Sequence, residues 1–228
     1  MICMNANTIF MSDQTLKTYD ETVRMMKIGK KYGIHLFLEA PHIPNSTDSF
    51  YYDHLVKSFE KRIEELNHQQ SGDLIRLGLI WEIHPKLMSD PKIIQPIYGT
   101  KTVMIHSSSH YSVLSEACYE LRIRGYQAIV YKPEESVKIN MRRFRHVKCE
   151  NAMLMISMQS LKFSFRHFDI MMNAWRFILS GQADLIACDA KTPKDIRRYI
   201  RTKRFITIVK GKKYARSLFE HNPSRVLM

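Results

Sequence analysis

Leu185-Ile186-Ala187-Cys188-Asp189-Ala190-Lys191 is an apolar run that ends in a carboxylate and, two residues on, an ammonium. It is too short for a helix and lacks polar alternation, the pattern of a strand buried on both faces in a parallel sheet. An Asp at its carboxyl end sits where α/β folds gather their chemistry. Other runs end in the same way. Ile2-Cys3-Met4 leads into Asn5-Ala6-Asn7, and Ile34 to Leu38 leads through Glu39-Ala40-Pro41 to His42. Leu74 to Trp81 delivers Glu82, and Val103-Met104-Ile105 delivers His106. Ala128 to Tyr131 delivers Lys132-Pro133-Glu134, and Met153 to Ile156 delivers Ser157.

Helical patterns separate most of these runs. Thr18-Tyr19-Asp20-Glu21 has capping-box spacing and opens a helix that Gly33 ends. Residues 44–51 form a polar loop, expected to be mobile, ahead of a helix from Asp53 to Asn67. A helix from Tyr111 to Arg124 stops at Gly125, and another from Ser164 to Ser180 stops at Gly181. In the latter, Phe165, Phe168, Met172, Trp175 and Leu179 recur at spacings of three and four and read as a core face. Arg204 to Lys210 reads in isolation as a strand, whereas Pro193 and the basic pattern after it favour a helix. Asn222-Pro223 marks the end of the last helix. Seven strand candidates with helices between them, and no linker, place residues 1–228 in one α/β domain.

The composition narrows the classes of function. No apolar stretch approaches the roughly 18 residues of a membrane span, and the first residues lack the basic-then-apolar order of a secretory signal, so a cytoplasmic location is expected. Cys3, Cys118, Cys149 and Cys188 lie too far apart in sequence to form a zinc or dithiol motif and read as reduced core residues. A net charge of +13 implies attraction to polyanions. Arg142-Arg143-Phe144-Arg145, and Lys194 to Arg216 with ten Lys or Arg against the single acid Asp195, make a nucleic-acid binder one alternative.

On a closed barrel the strand ends would bring together Asn5, Asn7, His42, Glu82, His106, Lys132, Ser157, Asp189 and Lys191. His, Glu and Asp from separate strands suit zinc, manganese or iron. A protonated lysine is a poor ligand, so Lys132 and Lys191 argue against a full metal cluster.

This order of motifs resembles the PHP-fold protein-tyrosine phosphatases of the CpsB/YwqE type, from capsule and exopolysaccharide operons, over nearly the whole chain. Ala40-Pro41-His42 is similar to the family's Thr-Pro-His, and Ile80-Trp81-Glu82 to its Gly-x-Glu. Met104-Ile105-His106-Ser107 resembles Leu-Ile-Glu-Phe, with a histidine in place of the carboxylate. Tyr131-Lys132-Pro133-Glu134-Glu135 resembles Ala-His-Pro-Glu-Arg, losing a metal-binding His and reversing the charge of a phosphate-binding Arg. Cys188-Asp189-Ala190-Lys191 resembles Ser-Asp-Ala-His, and Asn5-Ala6-Asn7 stands where the family has His-x-His. Asp13-Gln14-Thr15 holds the place of Asp-Asp-Gly, and Leu218 to Pro223 resembles the last helix, which also makes Arg204 to Lys210 helical.

The resemblance implies a distorted (β/α)7 barrel of PHP type. It also implies, in active members, a multinuclear metal centre that hydrolyses phosphotyrosine. Here the departures concentrate at the ligands, which points to a catalytically inactive binding or regulatory protein without a cofactor. Its expected partner is the tyrosine-phosphorylated, acidic tail of a membrane-associated tyrosine kinase, which would hold the chain peripherally at the membrane. Asn5, Asn7, Lys132, Ser157, Lys191 and Arg197 are the expected phosphate-binding group, with lysines standing in for lost metal charge beside Glu82 or Asp189. The alternative is an active, manganese-dependent phosphatase with a reduced site at His42, Glu82, His106 and Asp189.

Overall fold

The computed structural model describes residues 1–5, 19–43, 49–69, 75–83, 95–97, 99–106, 111–136 and 141–227. Its short strands are β1 (Ile2–Cys3), β2 (Leu36–Glu39), β3 (His42–Ile43), β4 (Ile75–Leu77), β5 (Ile80–Glu82), β6 (Thr102–His106), β7 (Gln127–Tyr131), β8 (Met153–Ser157) and β9 (Leu185–Ala187). The pairings are all parallel, in the orders β1-β2-β4 and β3-β5-β6-β7-β8-β9.

The two sheets are continuous. β2 and β3 are one run broken at Ala40-Pro41, because proline lacks the N–H that a ladder needs. β4 and β5 are one run broken at Gly78, and the break is bridged by Gly78 N donating to Glu39 O (2.7 Å) and Ile80 N to Pro41 O (3.0 Å). Counting each broken run once gives the seven expected strand positions. The last strand returns to the first through a parallel bridge between Met4 and Ala187, with Cys188 N donating to Met4 O at 2.7 Å.

Strand alternation explains the two-layered core. Ile2, Met4, Leu36, Leu38, Met104, Ile129, Tyr131, Met153, Met155, Leu185 and Ala187 fill the barrel interior. Their neighbours Cys3, Phe37, Val103, Ile105, Val130, Leu154, Ile156 and Ile186 face the helices. The same period of two carries Glu82, His106, Ser157 and Asp189 toward the interior end, two residues beyond Ile80, Met104, Met155 and Ala187. Flexible methionines suit the uneven space inside a distorted barrel.

The helices are α1 (Tyr19–Lys31), α2 (Ser49–Gln69), α3 (Tyr111–Ile123), α4 (Met141–Cys149), α5 (Phe168–Leu179), α6 (Pro193–Lys210), α7 (Lys212–Arg216) and α8 (Asn222–Leu227). α2 starts earlier than the sequence suggests, inside the expected loop. Arg204 to Lys210 is helical, since α6 runs through it from a start where Asp195 accepts from the Lys191 and Thr192 backbone N–H groups. Asn222-Pro223 opens α8 rather than ending the chain's helices, since proline is tolerated in a first turn. α8 then plugs the amino end of the barrel with Val226 and Leu227, whose carbonyls accept from Thr102 Oγ1 and Arg76 Nη1.

One expected core face lies partly outside, with Met172 and Trp175 half-buried and Trp175 packed against the core. Phe165, Phe168 and Leu179 are 87%, 48% and 51% exposed, while Met171, Ala174, Phe177 and Ile178 make the buried face of α5. Thr18, the polar segment at 44–48 and the Asp13-Gln14-Thr15 motif lie outside the described residues. Cys3, Cys118 and Cys188 are buried free thiols. Among the described residues, no helix is long and apolar enough to cross a membrane.

Candidate functional site

The carboxyl end of the barrel divides into two halves with different chemistry. The first half is made by β3, β5 and β6. Register places Glu82 beside His106, and β3 pairs with β5 so that His42 enters from the next strand. Glu82 Oε1 lies 4.0 Å from His42 Nδ1 and 3.8 Å from His106 Nδ1. One ligand atom from each of the three comes within 4.8 Å of the others. The two imidazoles meet edge to face at 4.8 Å. These separations exceed hydrogen-bond length, and buried His106 Nδ1 has no hydrogen-bond partner among the described residues. Burial pushes the His42 imidazole below its ordinary value, helped by His106 and opposed by Glu82. A neutral imidazole is the form that can coordinate.

The second half is built around Asp189, which is 5% exposed. Asn5 Nδ2 donates to its Oδ1 at 2.7 Å and Tyr131 Oη to the same oxygen at 2.9 Å. The Ser157 hydroxyl donates to Oδ2. Gln159 Nε2 donates to the Asp189 carbonyl at 3.2 Å and its backbone N–H to Ser157 Oγ at 3.1 Å. Burial raises the Asp189 carboxyl above its ordinary range, against the hydroxyl of Ser157, the charge of Lys132 and the Tyr131 and Asn5 donors.

A turn after β7 joins the halves. Lys132 Nζ lies 2.9 Å from Glu135 Oε1, and Glu135 Oε2 lies 3.7 Å from His106 Nε2. Burial alone would push the Lys132 ammonium down, but the Glu135 charge and hydrogen bond, with Asp189, carry it above its ordinary value. Burial likewise works against Glu135, yet His106 and Lys132 bring its carboxyl down to about 2. Glu134 is wholly buried, accepts from the Ser157 N–H at 2.9 Å, and is pushed by burial up to about 7.

Backbone strain marks the same place. Asn5, Lys132 and Asp189 have φ of 49°, 54° and 44°. Non-glycine residues there carry a cost on the order of 1 kcal/mol each, sustained by the surrounding contacts.

The expected site residues therefore divide. His42, Glu82 and His106 come together as one group, and Asn5, Ser157 and Asp189 as another. Lys132 sits between them on Glu135 and does not contact Glu82. Lys191 and Arg197 are exposed at the start of α6, and Asn7 lies outside the described residues. Tyr131 and Glu135, read only as part of the motif around Lys132, were not among the expected site residues. A Lys–Glu pair three residues apart was the available signal for Glu135, and the inward parity of β7 was the signal for Tyr131.

The family model of CpsB/CapC, capsular polysaccharide synthesis, matches residues 4–228. The chain belongs to that family. The CpsB/CapC fold assignment agrees with solved structures. One, from work on YwqE from Bacillus subtilis and CpsB from Streptococcus pneumoniae, described as unique metal-dependent tyrosine phosphatases, is 16% identical with a TM-score of 0.71 over 94% of this chain and 90% of that one. A chain of an archaeal ribonuclease P with mature tRNA is 12% identical, TM-score 0.63, over 99% and 89%. A probable 2-pyrone-4,6-dicarboxylic acid hydrolase from Acinetobacter baumannii is 11% identical, TM-score 0.57, over 99% and 98%. At these identities the likeness establishes the barrel alone. A search of the curated proteins finds no match by sequence.

The donors available to metal fit this family only in part. The imidazole and carboxylate atoms of His42, Glu82 and His106 suit one borderline divalent ion. Asp189, hydrogen-bonded through both carboxylate oxygens, is not part of that group.

Proposed function

We propose that this CpsB/CapC chain is a binding or regulatory member of its family that no longer hydrolyses phosphotyrosine. The observation that carries the reading is the Asp189 carboxylate, which is held by Asn5, Tyr131 and Ser157 and stands outside the His42, Glu82 and His106 group. A buried carboxylate stabilised by hydrogen bonds has no need of an ion. Lys132 supplies a cation beside it, and a phosphoryl group entering the site would share that ammonium with Glu135 through charge-assisted hydrogen bonds. The partner that fits is an acidic, tyrosine-phosphorylated tail, such as that of a membrane-associated tyrosine kinase of polysaccharide synthesis. Titration of a phosphotyrosine peptide and its unphosphorylated form tests this. Preferential binding of the phosphopeptide that Lys132→Glu abolishes is expected, and an affinity unchanged in that variant contradicts the placement.

A second reading rests on the other half. His42, Glu82 and His106 would hold a single divalent cation, manganese by analogy with the family, which when bound supplies positive charge to a phosphoryl oxygen. His106 would donate through the ring nitrogen that has no hydrogen-bond partner among the described residues. Glu135 stands 3.7 Å from the ring's other nitrogen. Binding of manganese in calorimetry, lost in His106→Ala, would favour this reading, and absence of binding would dismiss it.

A further inference from the structure

Lys162-Phe163-Ser164-Phe165-Arg166-His167-Phe168 connects the carboxyl end of β8 to α5. Phe163, Phe165 and Phe168 are 61%, 87% and 48% exposed. Phe163 and Phe165 pack edge to face at 4.9 Å, forming a small apolar knob on the surface. The cations between and beside them, Lys162, Arg166 and His167, are exposed too, and Asp169 is the nearest exposed acid along the chain. Exposing three neighbouring phenylalanines is unfavourable in water, by roughly 25 cal/mol for each Å2 of apolar surface that could be covered. α6 begins at the same end of the barrel, immediately after β9, and adds exposed Lys191, Lys194 and Arg197.

We propose that this loop is a docking surface for an anionic lipid bilayer, with Phe163 and Phe165 entering the acyl boundary and Lys162, Arg166 and the start of α6 contacting headgroup phosphates. Charge complementarity and the exposed aromatic tips favour that occupant. A surface that presents phenylalanines ringed by cations matches the two layers of an anionic membrane interface, apolar below and negative above. A second copy of this chain fits poorly, because a protein with a net charge of +13 would face its own cations. Single-stranded nucleic acid is the competing polyanion, since exposed rings can also stack on bases, and it is one outcome of the test below. Because the loop leaves the carboxyl end of β8, docking would bring the candidate site close to the membrane plane. The inference does not depend on whether the site binds phosphate or metal.

Co-sedimentation of the full chain with vesicles of phosphatidylcholine alone, and of phosphatidylcholine mixed with phosphatidylglycerol, tests the proposal. Binding to the anionic vesicles is expected to weaken roughly tenfold or more in Phe163→Ser/Phe165→Ser, with thermal stability unchanged because both rings are already exposed. Phe165→Trp supplies a second readout: its added fluorescence should shift to the blue and be quenched by brominated lipid. No partition of the wild-type chain, partition unchanged in the double variant, or no quenching in Phe165→Trp would overturn the proposal. Phe163- and Phe165-dependent binding to a single-stranded oligonucleotide, or a concentration-dependent dimer lost in the double variant, would instead assign the loop to those partners and overturn it equally.

Discussion

Asn5 and Asp189, 184 residues apart, meet side chain to side chain at 2.7 Å where the first and last strands of the barrel join. Their backbones meet as well, with Asp189 N donating to Asn5 O at 2.9 Å. The contact ties the last strand to the first and seats Asp189 at the carboxyl end of the barrel.

Asp189→Ala should therefore be a stability variant. Removing the carboxylate strands the Asn5 amide, the Tyr131 hydroxyl and the Ser157 hydroxyl in a buried site, at a cost of about 2–4 kcal/mol. Urea unfolding monitored by circular dichroism reads this directly. A change below about 0.5 kcal/mol, within the range of ordinary surface substitutions, would show that the network contributes little.

Glu134 gives the fold a pH dependence with a definite sign. Its carboxyl rises from an ordinary 4.5 to about 7 on folding because it is buried. The native state then holds a proton that the unfolded chain has released, so this group's contribution falls as pH rises from 4.5 to about 7. The loss is on the order of 3 kcal/mol. Glu134→Gln should flatten the dependence of the melting temperature in that window; an unaltered profile would mean that Glu134 titrates normally. Glu135 acts oppositely, its contribution being present above its ordinary 4.5 and lost as pH falls toward about 2.

Gly29 on α1 is held to its residue type by packing. A Cβ there would come within 2.4 Å of Phe37 Cζ, and Phe37 is fully buried between strand and helix. Gly29→Ala should cost about 1–3 kcal/mol despite the better helix propensity of alanine. Thermal melts of the single variant check this, and a rise in stability would show that α1 shifts freely.

Most of the barrel was legible because its strands are short apolar runs that end in polar residues. The breaks at Pro41 and Gly78 divide two of those runs without changing their number. α5 defeated the periodicity argument for a physical reason. It carries two apolar stripes, Met171–Ala174–Phe177–Ile178 and Phe168–Met172–Trp175–Leu179, and spacing alone does not say which one meets the sheet. The nucleic-acid reading of Arg142 to Arg145 loses its aromatic, since Phe144 is buried against Phe177 at 5.2 Å.

At the site, the strand-end residues were readable because a strand's parity points them inward. The partner choices were not, since they depend on the left-handed backbone at Lys132, which turns its side chain onto Glu135. Lys132 and Lys191 looked equivalent as residues beyond strand ends. Only the first is drawn into the site; the second lies outside as its backbone N–H joins the Asp195 cap at 3.2 Å.

Under the proposed function, the protein lacks phosphatase chemistry. Hydrolysis of a phosphotyrosine peptide by the purified chain, with manganese in excess and His106→Ala as control, tests it most directly. Phosphate release no faster in the wild type than in His106→Ala is expected. Manganese-dependent release that His106→Ala abolishes would contradict it, and would make the His42–Glu82–His106 half a working catalytic centre.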